Sequence, residues 1–139
     1  MDDPYNLQRF VDAQNPVFDH VCAELRSGRK TGHWMWFIFP QLRGLGSSET
    51  ARYFAISGVE EAAAYMAHPI LGTRLRACVR LVALIERSSI DQIFGYPDNL
   101  KFHSSMTLFA HTVPADGIFL DALNRYFGGQ FDQQTLDRI

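Results

Sequence analysis

Apolar residues recur three and four positions apart along most of the chain, the spacing that gathers them on one face of a helix. Tyr5 to Phe10 predicts a short opening turn. Asn15-Pro16 then has the residues of a helix start, an Asn cap followed by Pro at the first helical position. Val17, Phe18, Val21, Cys22 and Leu25 mark one face of that helix, and Gly28 stops it. Ser47 or Ser48 is placed to cap a helix carrying Ala51, Tyr53 and Phe54, and Ser57 with Glu60 has the spacing of a capping box for a helix to about Ala67. His68-Pro69 opens what reads as the longest helix. Leu71, Leu75, Cys78, Val79, Val82 and Ile85 line its apolar face, with Arg74, Arg76, Arg80 and Arg87 largely outside that stripe. Ser88 or Ser89 caps a short helix closed by Gly95. Asp98, Asp116 and Asp132 each begin a further one, the second ending at Gly128-Gly129.

Residues 33 to 41 break this rhythm. Their Trp, Phe and Ile suit a buried strand, but a lone strand has no partner, and the chain offers no second good candidate. A short irregular helix ending before Pro40, or an extended segment packed inside helices, fits better. The expectation is an all-α fold: a compact single-domain bundle of about six to eight helices over residues 1–139, with an irregular or extended aromatic segment at 33–41.

Composition narrows the function classes. The 139 residues suit one domain, and a net charge of −2 leaves no electrostatic footprint for duplex nucleic acid. The basic groups Arg26, Arg29 and Lys30, and Arg74, Arg76 and Arg80, read as solvated faces. No apolar run approaches a membrane span, and the acidic start Met1-Asp2-Asp3-Pro4 is not a signal peptide. Cys22 and Cys78 fall in apolar helical patterns without CxxC spacing, as buried free thiols of a reducing compartment do. A soluble cytoplasmic protein that does not bind membranes is expected.

Two segments carry candidate chemistry. Between Trp34 and Gln41 lie two Trp and two Phe, and each indole N–H needs a partner when buried, so this stretch reads as the wall and rim of a pocket. Trp34, Trp36 and Tyr53 would stack on a planar group while Gln41 and His33 meet polar edges. The turn from Arg43 through Ser47 and Ser48 feeds a helix N-terminus, where free N–H groups favour an anion. It is neither a Walker nor a dinucleotide fingerprint. In the second segment, Asp98 lies one turn before Lys101, and Lys101 shares a helical face with Ser104 or Ser105. That resembles a Lys beside a hydroxyl nucleophile, but the SxxK order is reversed, and mid-helix serines commonly bond back to a preceding carbonyl. Glu49 and Asp98, with His33, are the candidate general bases for a hydrolysis. The five histidines are scattered without ligand spacing, so neither a metal nor another cofactor is expected.

The stretches GHWMWFIFPQLRGLGSSETARYFAI, HPILGTRLRAC, IFGYPDNLKFHSSMTLF and FGGQFDQQTL resemble the uncharacterised bacterial family catalogued as domain of unknown function eighteen-ten. Some of its members are labelled calpastatin, which nothing in these residues supports. The resemblance covers nearly the whole chain and implies one mainly helical domain with no established activity. A shorter similarity, in the long Leu-Gly helix followed by Ile93-Phe94-Gly95 and Asp98, runs to the NADAR type of domain. It implies ADP-ribose or N-glycosidic chemistry on nucleotides, although this chain lacks that group's acidic-tryptophan motifs.

These features point to a helical domain that binds or hydrolyses a nucleotide or ADP-ribose-like metabolite. Arg43 or Lys101 and the Ser47 and Ser48 N–H groups would hold phosphate, and Glu49 or Asp98 would activate water. The alternative is a non-enzymatic interaction module with an exposed aromatic patch. The two part on small-molecule stabilisation, and a site requires that residues 33–53 and 98–107 line one cavity.

Overall fold

The computed structural model describes residues 2–139, and its regular elements are all helices, joined by turns and irregular segments. The first helix, α1 (Gln8–Gln14), replaces the expected short turn. Its entry is set by Asp3, whose carboxylate accepts the Leu7 and Gln8 N–H groups at 2.7 and 3.0 Å. Those bonds hold the Asp3 carboxyl below its usual range. α2 (Phe18–Ser27) begins after Val17 rather than at Asn15-Pro16, and ends at Gly28 in the left-handed conformation, φ +83°.

The aromatic segment contributes a single helical turn, α3 (Met35–Ile38), which stops before Pro40. Leu42 then forms an isolated parallel bridge with Ile56. α4 (Glu49–Tyr53) is capped by Ser48, whose hydroxyl accepts the Ala51 N–H. In α5 (Val59–Ala67) the capping partner differs from the expected one. Ser57 donates through both N–H and Oγ to Glu61, not Glu60, because Glu61 points inward to a buried arginine, Arg9.

α6 (Leu71–Ala83) has 13 residues, and the longest helix is instead α8 (Asp98–Thr112), with 15. Between them α7 (Ile90–Phe94) carries the capping box, Ser89 with Gln92. α8 is buried continuously from Ser104 to Ala110. A helix buried on all sides shows no one-sided apolar stripe, which is why sequence periodicity favours α6. α9 (Ile118–Phe127) ends at left-handed Gly128, and α10 (Gln133–Arg138) is capped by Asp132 through the Thr135 N–H. Asp98 and Asp116 do not act as caps. Asp98 is the first residue of α8 and pairs with Lys30, and Asp116 pairs with Arg76.

α8 is the hub, packed by α5, α7, α9 and α10, while α6 lies against α2, α5 and α9. The core between them holds Phe10, Tyr65, Phe102, Phe109 and Phe119, all without solvent exposure. The Tyr65 hydroxyl is satisfied by the Gln14 amide at 3.1 Å. Cys22 and Cys78 are buried free thiols, and desolvation pushes both thiol pKa values up. Among the described residues, no helix is long and apolar enough to cross a membrane.

Candidate functional site

The two tryptophans of the aromatic segment go to different places. Trp34 is 3 % exposed and lies in the core against Phe39 and Phe94. Its indole N–H donates to Glu24 Oε1 at 3.0 Å. The same oxygen accepts the Thr31 and Gly32 N–H groups at 2.6 and 2.8 Å. Desolvation of Glu24 works to raise its pKa, but these bonds outweigh it and hold the carboxyl below its ordinary value. Trp34 is therefore a core residue with its polar atom satisfied, not the stacking wall expected of it.

Trp36, two residues on, is half-buried and faces outward. With Phe39, Gln41, Ala51, Phe54 and Lys101 it lines a narrow slot. The slot adjoins a cleft of about 210 Å³ lined by Gln41, Leu45, Leu100, Lys101, Ser104 and Asp132. Gln41 and Lys101 belong to both, so the aromatic segment and the start of α8 meet here. The Lys101 ammonium stands 4.8 Å from the centre of the Trp36 ring, within range of a cation–π attraction.

Charges beside this cleft are largely paired. Asp98 lies between two ammonium groups, at 2.8 Å from Lys30 Nζ and 3.6 Å from Lys101 Nζ. Lys30 also donates to the Gly32 carbonyl and sits 5.1 Å over the Trp34 ring, which ties Asp98 to the aromatic segment. Ser104 Oγ lies 3.1 Å from both the Leu100 carbonyl and Asp132 Oδ2. That carboxylate oxygen also takes the Thr135 N–H and hydroxyl. Ser104 therefore helps fix the α10 cap, and its hydroxyl bonds an acid instead of the Lys101 amine. Ser105 is fully buried, and its Oγ has no hydrogen-bond partner among the described residues.

The remaining expected residues fall elsewhere. His33, Ser47, Ser48 and Glu49 are exposed and line neither the slot nor the cleft. Arg43 and Tyr53 line a separate cleft of about 440 Å³ together with Arg9, Arg52, Ser57 and Glu61. Sequence reasoning overlooked Arg9 and Glu61, a buried ion pair at 2.9 Å. The signal for it was a Glu in the apolar setting of Ala62 and Tyr65. A further cleft, of about 810 Å³, has Arg87, Asp91, Asn99, His103, Arg125 and Phe127 among its walls. No spacing along the chain announced it.

No curated protein matches this chain. Among solved structures it is similar to the conserved hypothetical protein Rv1873 from Mycobacterium tuberculosis. The two are 54 % identical with a TM-score of 0.96, over 97 % of this chain and 96 % of that one. Residues 4–139 match the family described as protein of unknown function, DUF1810, and the chain belongs to that family.

Proposed function

We propose that this domain binds a small anionic metabolite with a planar group, a nucleotide or a fragment of one, in the cleft between the aromatic segment and α8. The observation that carries this reading is the meeting of Gln41 and Lys101 beside Trp36. Lys101 supplies the charge, Gln41 a donor and an acceptor, and Trp36 and Leu45 the apolar wall. About 210 Å³ is below the usual range for metabolite sites of roughly 300–1,000 Å³. It suits a base or a sugar phosphate, with anything as long as ADP-ribose extending over the rim.

Binding is favoured over hydrolysis. The Asp98 carboxylate is held by two lysines, and that of Asp132 by the α10 cap, so the first acts as a counter-charge and the second as a cap before either acts as a base. The free thiols Cys22 and Cys78 support a reducing, cytoplasmic setting.

A thermal-shift panel of nucleotides, nucleosides, ADP-ribose and sugar phosphates tests the reading. A ligand at about a hundred times its Kd adds roughly 2.7 kcal/mol of stability, several degrees for a domain of this size. The expected result is a selective shift that Gln41→Ala and Lys101→Ala each abolish while the unliganded melting temperature is kept. A flat panel, or a shift that both variants retain, overturns the placement. One observation favours the interaction module instead: Leu100, which lines the cleft, is 51 % exposed, and Tyr96, four residues before it, is 82 % exposed. That reading expects concentration-dependent self-association or partner capture, weakened by Tyr96→Ala.

A further inference from the structure

The cleft of about 810 Å³ shares Leu100 with the Gln41–Lys101 site and lies between the 87–91 segment, the first turns of α8 and the end of α9. Three independent features set it apart from ordinary surface. The first is its charge. Arg87 and Arg125 both line it, against the single carboxylate of Asp91, which is already engaged by the Asn99 amide at 2.7 Å. Arg125 is held in place by one bond to the Ile85 carbonyl and by its position 5.5 Å over the Tyr126 ring. The rest of its planar fork has no partner among the described residues, and such a fork matches carboxylate or phosphate oxygens.

The second feature is backbone strain. Arg87 has φ +62°, in the left-handed region that a side chain with a Cβ occupies at a cost. Residues in such conformations concentrate at binding sites, where the surrounding fold sustains the strain. Glycine would adopt the conformation freely, so the arginine here costs stability relative to glycine.

The third is an orphaned acceptor. Asn99 donates its amide N–H to Asp91, but its buried Oδ1 has no hydrogen-bond partner among the described residues. A buried acceptor left unsatisfied is costly and calls for a donor. On the same helix His103 stacks on Phe127 at 3.9 Å, with the ring planes nearly parallel at 4°. Its Nε2 meets the Gln130 carbonyl, which only accepts, so the proton sits on that nitrogen.

We infer that this cleft is a second binding site, for a small organic anion, phosphate or carboxylate, that also carries a hydrogen-bond donor. Arg87 and Arg125 take the anion, and the donor reaches the exposed Asp91 carboxylate, which the Asn99 amide holds in place. The stacked His103–Phe127 pair and Leu100 supply the flat and apolar parts of the wall. This site stands independently of the Gln41–Lys101 cleft.

Calorimetric titration with adenosine monophosphate, glutamate and inorganic phosphate tests it on the full chain. The first two separate a phosphate source from a carboxylate source, and inorganic phosphate offers charge with no organic donor. Expected, in the Gln41→Ala background that removes the other cleft, is saturable 1:1 binding of adenosine monophosphate or glutamate, tighter than inorganic phosphate, reduced about tenfold or more by Arg87→Gly and by Arg125→Gln. Arg87→Gly also relieves the backbone, so its melting temperature holds or rises, which separates lost binding from lost folding. A fall in melting temperature for Arg87→Gly assigns the arginine a structural role and overturns the inference. So does the absence of saturable binding by all three probes, or binding that Arg87→Gly leaves unchanged. Binding lost in Gln41→Ala but kept in Arg87→Gly belongs to the other cleft and overturns this site alone.

Discussion

The Trp34 indole N–H donates to Glu24 Oε1 at 3.0 Å, and that contact decides where the aromatic segment goes. The large apolar ring is drawn into the core only because an acceptor on α2 waits for its one polar atom. Once Trp34 is fixed, the single turn of α3 sends Trp36 to the outside, where it meets Lys101.

Removing the acceptor should therefore loosen the whole segment. Glu24→Ala leaves a buried indole N–H and two backbone N–H groups without their partner, and costs about 2–3 kcal/mol. Urea denaturation followed by tryptophan fluorescence measures it. A change under about 0.5 kcal/mol, the range of ordinary surface substitutions, would show that water replaces the carboxylate without loss.

Stability should also fall on the acid side through the same group. The native Glu24 carboxyl lies below its ordinary value of 4.5, because hydrogen bonds to the charged form outweigh desolvation. A group depressed in the folded state contributes stability above its unfolded value, and loses it as pH falls through the folded one. Between about pH 5 and pH 3, Glu24→Gln should lose less stability than the parent, although it starts lower at pH 7. Parallel acid limbs for the two proteins would sink the assignment. Asp3 is depressed in the same direction by the Gln8 and Leu7 N–H groups and adds to the same limb.

What was legible in the sequence was local chemistry. Ser89, Ser48, Asp132 and the left-handed Gly28 and Gly128 all do their work within a few residues, so spacing located those helix ends, to within one residue at Ser47 or Ser48 and at Ser88 or Ser89. Asp98 and Asp116 looked like caps for the same reason, but their partners, Lys30 and Arg76, come from helices and loops far away in the chain. The length of α8 was hidden by burial on every side. For the candidate site, residue types marked the two segments, but not which of Trp34 and Trp36 faced outward. The strain at Arg87 and the orphaned Asn99 oxygen leave no trace in a linear pattern, because both exist only against the folded surroundings.

The crossing of α5 and α6 depends on Gly72. A Cβ placed there would meet the Met66 carbonyl oxygen at 2.2 Å, closer than non-bonded atoms approach. The obstacle is backbone, so it cannot swing aside as a flexible side chain would. Gly72→Ala should destabilise by about 1–3 kcal/mol, despite the better helix propensity of alanine. A stabilised or neutral variant in thermal or urea unfolding would mean that the two helices slide apart at little cost.

The Arg9–Glu61 pair makes the sharpest energetic test, because both side chains are buried, at 8 % and 3 % exposure. All five guanidinium N–H groups are used: Nε on the Tyr53 carbonyl, the others on Tyr5, Asn6, Ala55 and Glu61. Arg9 thereby ties the N-terminal turn to the loop after α4. Glu61→Ala strands a charge among carbonyls and leaves the Ser57 N–H and hydroxyl unpaired, at a cost of about 3–5 kcal/mol. Arg9→Met/Glu61→Leu removes the stranded charge as well, and should cost less than the sum of its two single variants. It should still fall short of the parent, because four carbonyls lose their shared donor. Strict additivity in the double-mutant cycle would mean that the two groups do not stabilise each other, and that Arg9 serves only as a backbone clamp.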